Sequence, residues 1–206
     1  MSDMPPAVAE FLSAVLVMEL TPGPNMTWLA LLAAQRGRLL GLQAVAGIAT
    51  GLAVLAVLAG LGAAALFSTY PPIYEALRWA GVLFMLYLAL DAWRGEDPDS
   101  LATSPGRHFR RGLLVNLLNP KAAVVFLVMI PAFAGEANPE QPPIVLMTTI
   151  YLVIATLVHT LIVAFAGTFT KALMNPQREL VVRRGFALLL VAIAIWFAVS
   201  TDRPDI

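Results

Sequence analysis

Met18-Glu19-Leu20-Thr21-Pro22-Gly23-Pro24-Asn25 sets two prolines, a glycine and a carboxylate about halfway along an otherwise apolar run, Ala7–Ala34. Each proline removes an intrahelical donor and clashes with the preceding turn, and the glycine between them adds backbone freedom. The stretch reads as a helix that unwinds inside a bilayer. Backbone groups freed at that depth must meet protein, water or a ligand. The fourth apolar run holds a counterpart, Asn116-Leu117-Leu118-Asn119-Pro120-Lys121.

Composition supports a membrane reading of both runs. Hydrophobic residues make up 59 % of the 206 and charged residues 13 %, about half the charged share of a soluble domain. Mean hydropathy is +0.80. A core of this size cannot hide so much apolar surface, so much of it faces lipid. Six runs approach the roughly 20 residues that a helix needs to cross the hydrocarbon layer: Ala7–Ala34, Leu39–Phe67, Tyr74–Trp93, Gly112–Phe133, Ile144–Leu173 and Leu180–Ser200. The expected fold is an all-α integral membrane protein with six transmembrane helices. They form one domain over 1–206, with three-helix halves at 7–93 and 112–200 around a loop at 94–111.

The two interruptions fall in the first helix of each half. Halves of three helices insert with opposite orientation, and paired interruptions in corresponding helices point to an inverted-repeat transporter. Residue identity between the halves is slight, so the repeat is read from layout. Of the 13 Lys and Arg, ten fall on the face of the 1–2, 3–4 and 5–6 loops: Arg36, Arg38, Arg94, Arg107, Arg110, Arg111, Lys171, Arg178, Arg183 and Arg184. Arg78 and Arg203 fall on the other, and Lys121 lies within a helix. The excess of basic residues marks the cytoplasmic face, so both termini are expected outside. The N-terminus has no basic stretch before its apolar run, so that run is kept as a mature helix rather than a signal peptide.

The polar groups at the breaks suit a small zwitterion. A helix restarting after Pro24 offers N–H groups and a positive dipole end to a carboxylate. One ending near Leu20 offers carbonyls to an ammonium group. Glu19 can hold the same ammonium or exchange a proton. Lys121 can bind the carboxylate or neutralise Glu19. A charge at the bilayer centre costs about 2.5–3.5 kcal/mol even on the mild scale, so two such charges suggest a partner or a task. The site candidates are Glu19, Thr21, Pro22, Gly23, Pro24, Asn25, Asn116, Asn119, Pro120 and Lys121. The plainer readings are packing kinks at the prolines and a structural Glu19–Lys121 pair. His159, midway along the fifth run, fits a proton relay or a hydrogen-bonded packing role, and His108 is expected in a loop. Asp91 and Arg94 are expected at an interface. Gly37/Gly41, Gly47/Gly51, Gly60 and Gly62 give the small-residue spacing of close helix packing, which leaves a homo-oligomer open.

At these motifs the sequence resembles the LysE/RhtB family of bacterial amino-acid exporters. The Pro-Gly-Pro-Asn pattern of that family stands here as Thr21-Pro22-Gly23-Pro24-Asn25. Its second hallmark is similar to Phe109-Arg110-Arg111-Gly112 through Asn119-Pro120-Lys121-Ala122, continuing to Phe126, Pro131 and Phe133. Tyr87-Leu88-Ala89-Leu90-Asp91-Ala92-Trp93-Arg94 is similar to the end of its third helix. The resemblance implies export of amino acids or close derivatives across the bacterial cytoplasmic membrane, driven by the proton motive force. It places the transport site at Thr21–Asn25 and Asn119–Lys121. Glu19 is outside the shared pattern, and its role rests on position.

Other classes fit less well. Zero net charge gives no electrostatic case for a nucleic-acid partner. The absence of Cys excludes disulfides, thiolate metal sites and thiol redox chemistry, and no cofactor is expected. A divalent-metal exporter wants several intramembrane carboxylates, and only Glu19 lies well inside. A membrane enzyme wants a nucleophile, a base and an orienting acid together, and only His159 is a candidate buried imidazole. A passive channel differs from a carrier in coupling, which flux under a pH gradient reads.

Overall fold

The structure, a computed structural model, describes residues 6–21, 23–61, 70–94, 106–134, 142–169 and 175–200. Pro22, Gly62, Pro98, Pro105, Lys171 and Arg203 lie outside the described residues. The elements in chain order are α1 (Pro6–Leu20), α2 (Pro24–Arg36), α3 (Arg38–Gly60), α4 (Pro71–Arg94), α5 (Arg107–Leu117) and α6 (Pro120–Val124). A π-helical turn (Val125–Met129) then leads into α7 (Ile130–Phe133), followed by α8 (Ile144–Ala166) and α9 (Pro176–Ser200). No strand occurs among the described residues.

The local chemistry explains the boundaries. Pro24 opens α2 behind an extended Gly23, where its missing N–H belongs to a group that would lack a helical partner anyway. Gly37 has φ +85, a left-handed value that favours glycine. It closes α2, with its N–H on the Ala33 carbonyl, and opens α3 in the same step. Asn119 caps α6, its side-chain oxygen accepting from the Lys121 N–H at 3.1 Å, with Pro120 next in line. The π turn precedes Pro131, which cannot donate to an i−4 carbonyl; a wider turn accommodates that loss.

Three helices are long and apolar enough to cross a membrane alone: α3, α8 with its 3-10 extension to Phe169, and α9. Two helix pairs pass together as broken spans, α1 with α2 bent by 53° and α5 with Lys121–Phe133 bent by 54°. The chain is therefore a multi-pass membrane protein with three spans, or five if each bent pair is one. Large side chains such as Val17, Val57, Leu83, Val128, Val153 and Phe165 stand exposed, as lipid-facing residues do.

Two expectations need correction. The fourth run begins at Arg107 rather than Gly112, so the basic residues Arg107, Arg110 and Arg111 belong to the first turns of α5. His108 is thus helical and buried, not in a loop. The reason is periodic: His108, Gly112, Val115 and Asn116 form one inward stripe, which the arginines between them obscure.

α3 packs on α5 and α8, and α4 packs on α9 through Val82, Met85, Ala194 and Phe197. α2 runs through the middle against α3, α8 and α9, while α1 lies on α8. The α3–α5 crossing is tight. A Cβ on Gly47 would stand 2.0 Å from the Phe109 carbonyl oxygen, and one on Gly112 would stand 2.3 Å from that of Ala44. The small-residue spacing of α3 thus serves contact within the chain.

Candidate functional site

The two breaks meet. The Lys121 ammonium donates to the Thr21 carbonyl at 3.1 Å and lies 3.5 Å from a Glu19 carboxylate oxygen. Glu19 is buried, although it belongs to an apolar helix. Four residues after Thr21, the Asn25 amide donates to the Asn116 side-chain oxygen at 2.8 Å. Both asparagines are buried. The residues thus come from α1, the turn after it, the start of α2, the end of α5 and the start of α6.

These groups enclose a small cavity. Its walls are Glu19, Gly23, Asn25, Met26, Asn119, Lys121, Tyr151 and His159, and its volume is about 10 Å³. That is about one water molecule's worth of room. The Met26 sulfur lies 3.9 Å from the Lys121 ammonium. Glu19 Oε2, Asn25 Oδ1, Asn116 Nδ2 and His159 Nδ1 are buried without a hydrogen-bond partner among the described residues. Buried polar atoms are ordinarily paired, so those on the cavity walls, from Glu19, Asn25 and His159, have hydrogen-bonding capacity to offer.

The helix ends supply more. The hydrogen-bond ladder of α2 opens with the Thr27 N–H on the Gly23 carbonyl at 2.9 Å. The N–H groups of Asn25 and Met26 come before it and have no place in the ladder. At the end of α1, the Thr21 carbonyl holds an ammonium group, that of Lys121. Thr21 offers this carbonyl rather than its hydroxyl, which bonds back to the Val17 carbonyl at 3.0 Å. Asn119 is buried and lines the cavity while capping α6. Pro24 is buried at the start of α2, and Pro120 opens α6.

α8 adds two residues. His159 lines the same cavity as the break residues, rather than a separate site along the fifth run. Tyr151 also lines it, interacts with the Glu19 carboxylate, and has its ring edge-on to Phe126 at 5.3 Å. The sequence reading missed Tyr151. The signal was there: Met147, Tyr151, Ala155, His159 and Val163 are the buried residues of α8, one stripe at i+4 spacing. The described residues hold no group of three or more His, Asp or Glu placed to bind a metal ion.

Residues 16–201 match the LysE type translocator family. The chain is 28 % identical to a homoserine/homoserine lactone efflux protein of Salmonella typhi over 75 % of this chain and 77 % of that one. It is 26 % identical to the Salmonella typhimurium protein of the same name, over 88 % and 91 %. An uncharacterized membrane protein of Pseudomonas aeruginosa is 30 % identical over 93 % and 94 %. No solved structure matches.

Proposed function

The chain belongs to the LysE type translocator family, and from that membership we propose that it is a secondary active exporter of amino acids or close derivatives. Relatives named for homoserine and homoserine lactone efflux make small hydroxylated amino acids the first substrates to try. The observation that carries the reading is the Lys121 ammonium lodged between the Glu19 carboxylate and the Thr21 carbonyl. An ammonium group already sits where a substrate's would be held. The substrate ammonium takes that place, and the carboxylate takes the displaced Lys121 together with the Asn25 and Met26 N–H groups at the positive end of α2. Glu19 is the group that a proton would neutralise in coupling to the proton motive force.

A cavity of about 10 Å³ cannot hold an amino acid, so binding requires the half-helices to part. Alternating access about this site follows. The layout we propose has six spans, with α4 joining the five above, in two inverted halves. Several features support it. The broken spans bend by nearly the same angle, 53° and 54°. Corresponding helices pack in pairs, α3 on α8 and α4 on α9, and α8 lies on α1 as α3 lies on α5. The excess of basic residues on one face supports an orientation in the bacterial cytoplasmic membrane with both termini outside.

The test is counterflow in proteoliposomes with a panel of amino acids, with and without a pH gradient. Exchange accelerated by the gradient is expected for homoserine or a close analogue. Flux that shows no exchange would mark a channel, and no flux for any amino acid would sink the proposal.

A further inference from the structure

A second polar chamber lies beside the central cavity, toward the basic ends of α2 and α5. Trp28, Gln35, Asp91, Arg111 and Arg183 give it its polar and aromatic wall, and its volume is about 30 Å³. Arg111 Nη2 meets Asp91 Oδ2 at 2.5 Å, with the side chains 13 % and 27 % exposed. The guanidinium also stands over the buried Trp28 ring, 5.4 Å from its centroid. These three residues come from α5, α4 and α2. Trp28 is one turn beyond Asn25, and Arg111 is about 7.5 Å along α5 from Asn116 at 1.5 Å per residue. Along these helices the chamber therefore lies between the level of the central cavity and the face that carries Arg36 and Arg110, where a route to that face would pass.

The two ends of that route are closed by different chemistry. On the far side Phe11 and Phe133 meet edge-on at 5.6 Å, among the buried Val15, Ile130 and Met147. On the near side the closure is an ion pair between α4 and α5, laid over Trp28 of α2. A ligand with both an ammonium and a carboxylate can replace both members at once. Its carboxylate matches the planar guanidinium fork, and its ammonium matches Asp91. A solute with one charge replaces only one member of the pair, and breaking an ion pair in a largely buried place without replacing both is costly.

We infer that Asp91, Arg111 and Trp28 form an inner recognition site for ligands bearing an ammonium and a carboxylate, closed on itself by the Asp91–Arg111 ion pair. The inference rests on the export reading for its direction of use, while the closure itself does not.

The chain has no Cys, so Met26→Cys puts a single thiol at the central cavity. In inside-out vesicles a membrane-impermeant thiol reagent then reports access from the basic face. Asp91→Asn should speed labelling at least about tenfold, a modest yield from losing a buried partner. The swap of Asp91→Arg with Arg111→Asp should restore slow labelling, which a misfolded protein would not do. L-homoserine should speed labelling of the chain with the pair intact and leave Asp91→Asn unchanged, while propionate and ethylamine should do neither. Equal labelling with and without Asp91→Asn overturns the closure. Faster labelling in Asp91→Asn without a homoserine effect, in vesicles that do exchange homoserine, overturns the recognition site. If Asp91→Asn speeds labelling but no amino acid is exchanged or alters it, the export reading and the recognition site fall while the closure stands.

Discussion

Asn25 and Asn116 are joined by a 2.8 Å hydrogen bond between their buried side chains, and this bond ties the second half of one broken span to the first half of the other. It is short, central, and leaves one polar atom on each amide free of described partners. Removing one amide strands the other, a loss of about 1–3 kcal/mol for a buried polar group. Asn116→Ala should therefore cut counterflow at least about tenfold while the amount of protein in the membrane changes little. Transport at the usual rate by this variant would remove the pair from the site.

Glu19 and Lys121 should behave as a unit. Taking one member from a buried ion pair costs about 3–5 kcal/mol in soluble cores, because a charge is left without its partner. Glu19→Gln should lower the folded yield more than Glu19→Gln combined with Lys121→Met, measured by size-exclusion recovery from membranes. Transport should be lost in both. Damage that simply adds in the double variant would mean that the 3.5 Å approach carries no coupling.

The glycines of α3 separate into two groups. Gly47 has no room for a methyl group against the α5 backbone, and a Cβ on Gly51 would press on the Asn116 side chain at 2.9 Å. Gly60 has open space around it. Gly47→Ala should destabilise the protein by an amount at or above the usual 1–3 kcal/mol of overpacking, and Gly51→Ala should slow transport by displacing Asn116. Gly60→Ala should be neutral or slightly stabilising. A thermal-shift series on the purified variants would expose the wrong ordering at once.

Orientation rests on charge and is open to direct measurement. Reporter fusions at residue 100 should read cytoplasm, and fusions at residue 138 should read the outside. The reverse pattern would invert the direction of the route through the Asp91–Arg111 closure.

Much of this was legible in the sequence, because prolines, glycines and charges are conspicuous inside apolar runs. The breaks at Pro24 and Pro120, the burial of Glu19 and the small-residue face of α3 all follow from rules of local chemistry. What stayed hidden depends on partners supplied by folding. Tyr151 looks like an ordinary aromatic residue of an apolar run until α8 turns its stripe toward Glu19. Asp91 reads as an interfacial charge and Arg111 as a basic residue of the loop at 94–111; only the folded chain shows that they pair over Trp28. His108 was misplaced for a related reason, since a helix that starts with arginines disguises its buried face.

The glycine contact between α3 and α5 has a mechanical consequence. α3 belongs to the first half of the sequence and α5 to the second, yet backbone meets backbone between them with no slack for sliding. Two halves of a sequence clasped in this way do not rock as separate bodies. On the export reading proposed above, the moving units are each assembled from pieces of both halves, with the flexing at the ends of α1 and α5. Spin labels at Leu42 and Leu114, both on exposed positions, should then hold one separation throughout the transport cycle, whereas distances spanning either of those ends should change.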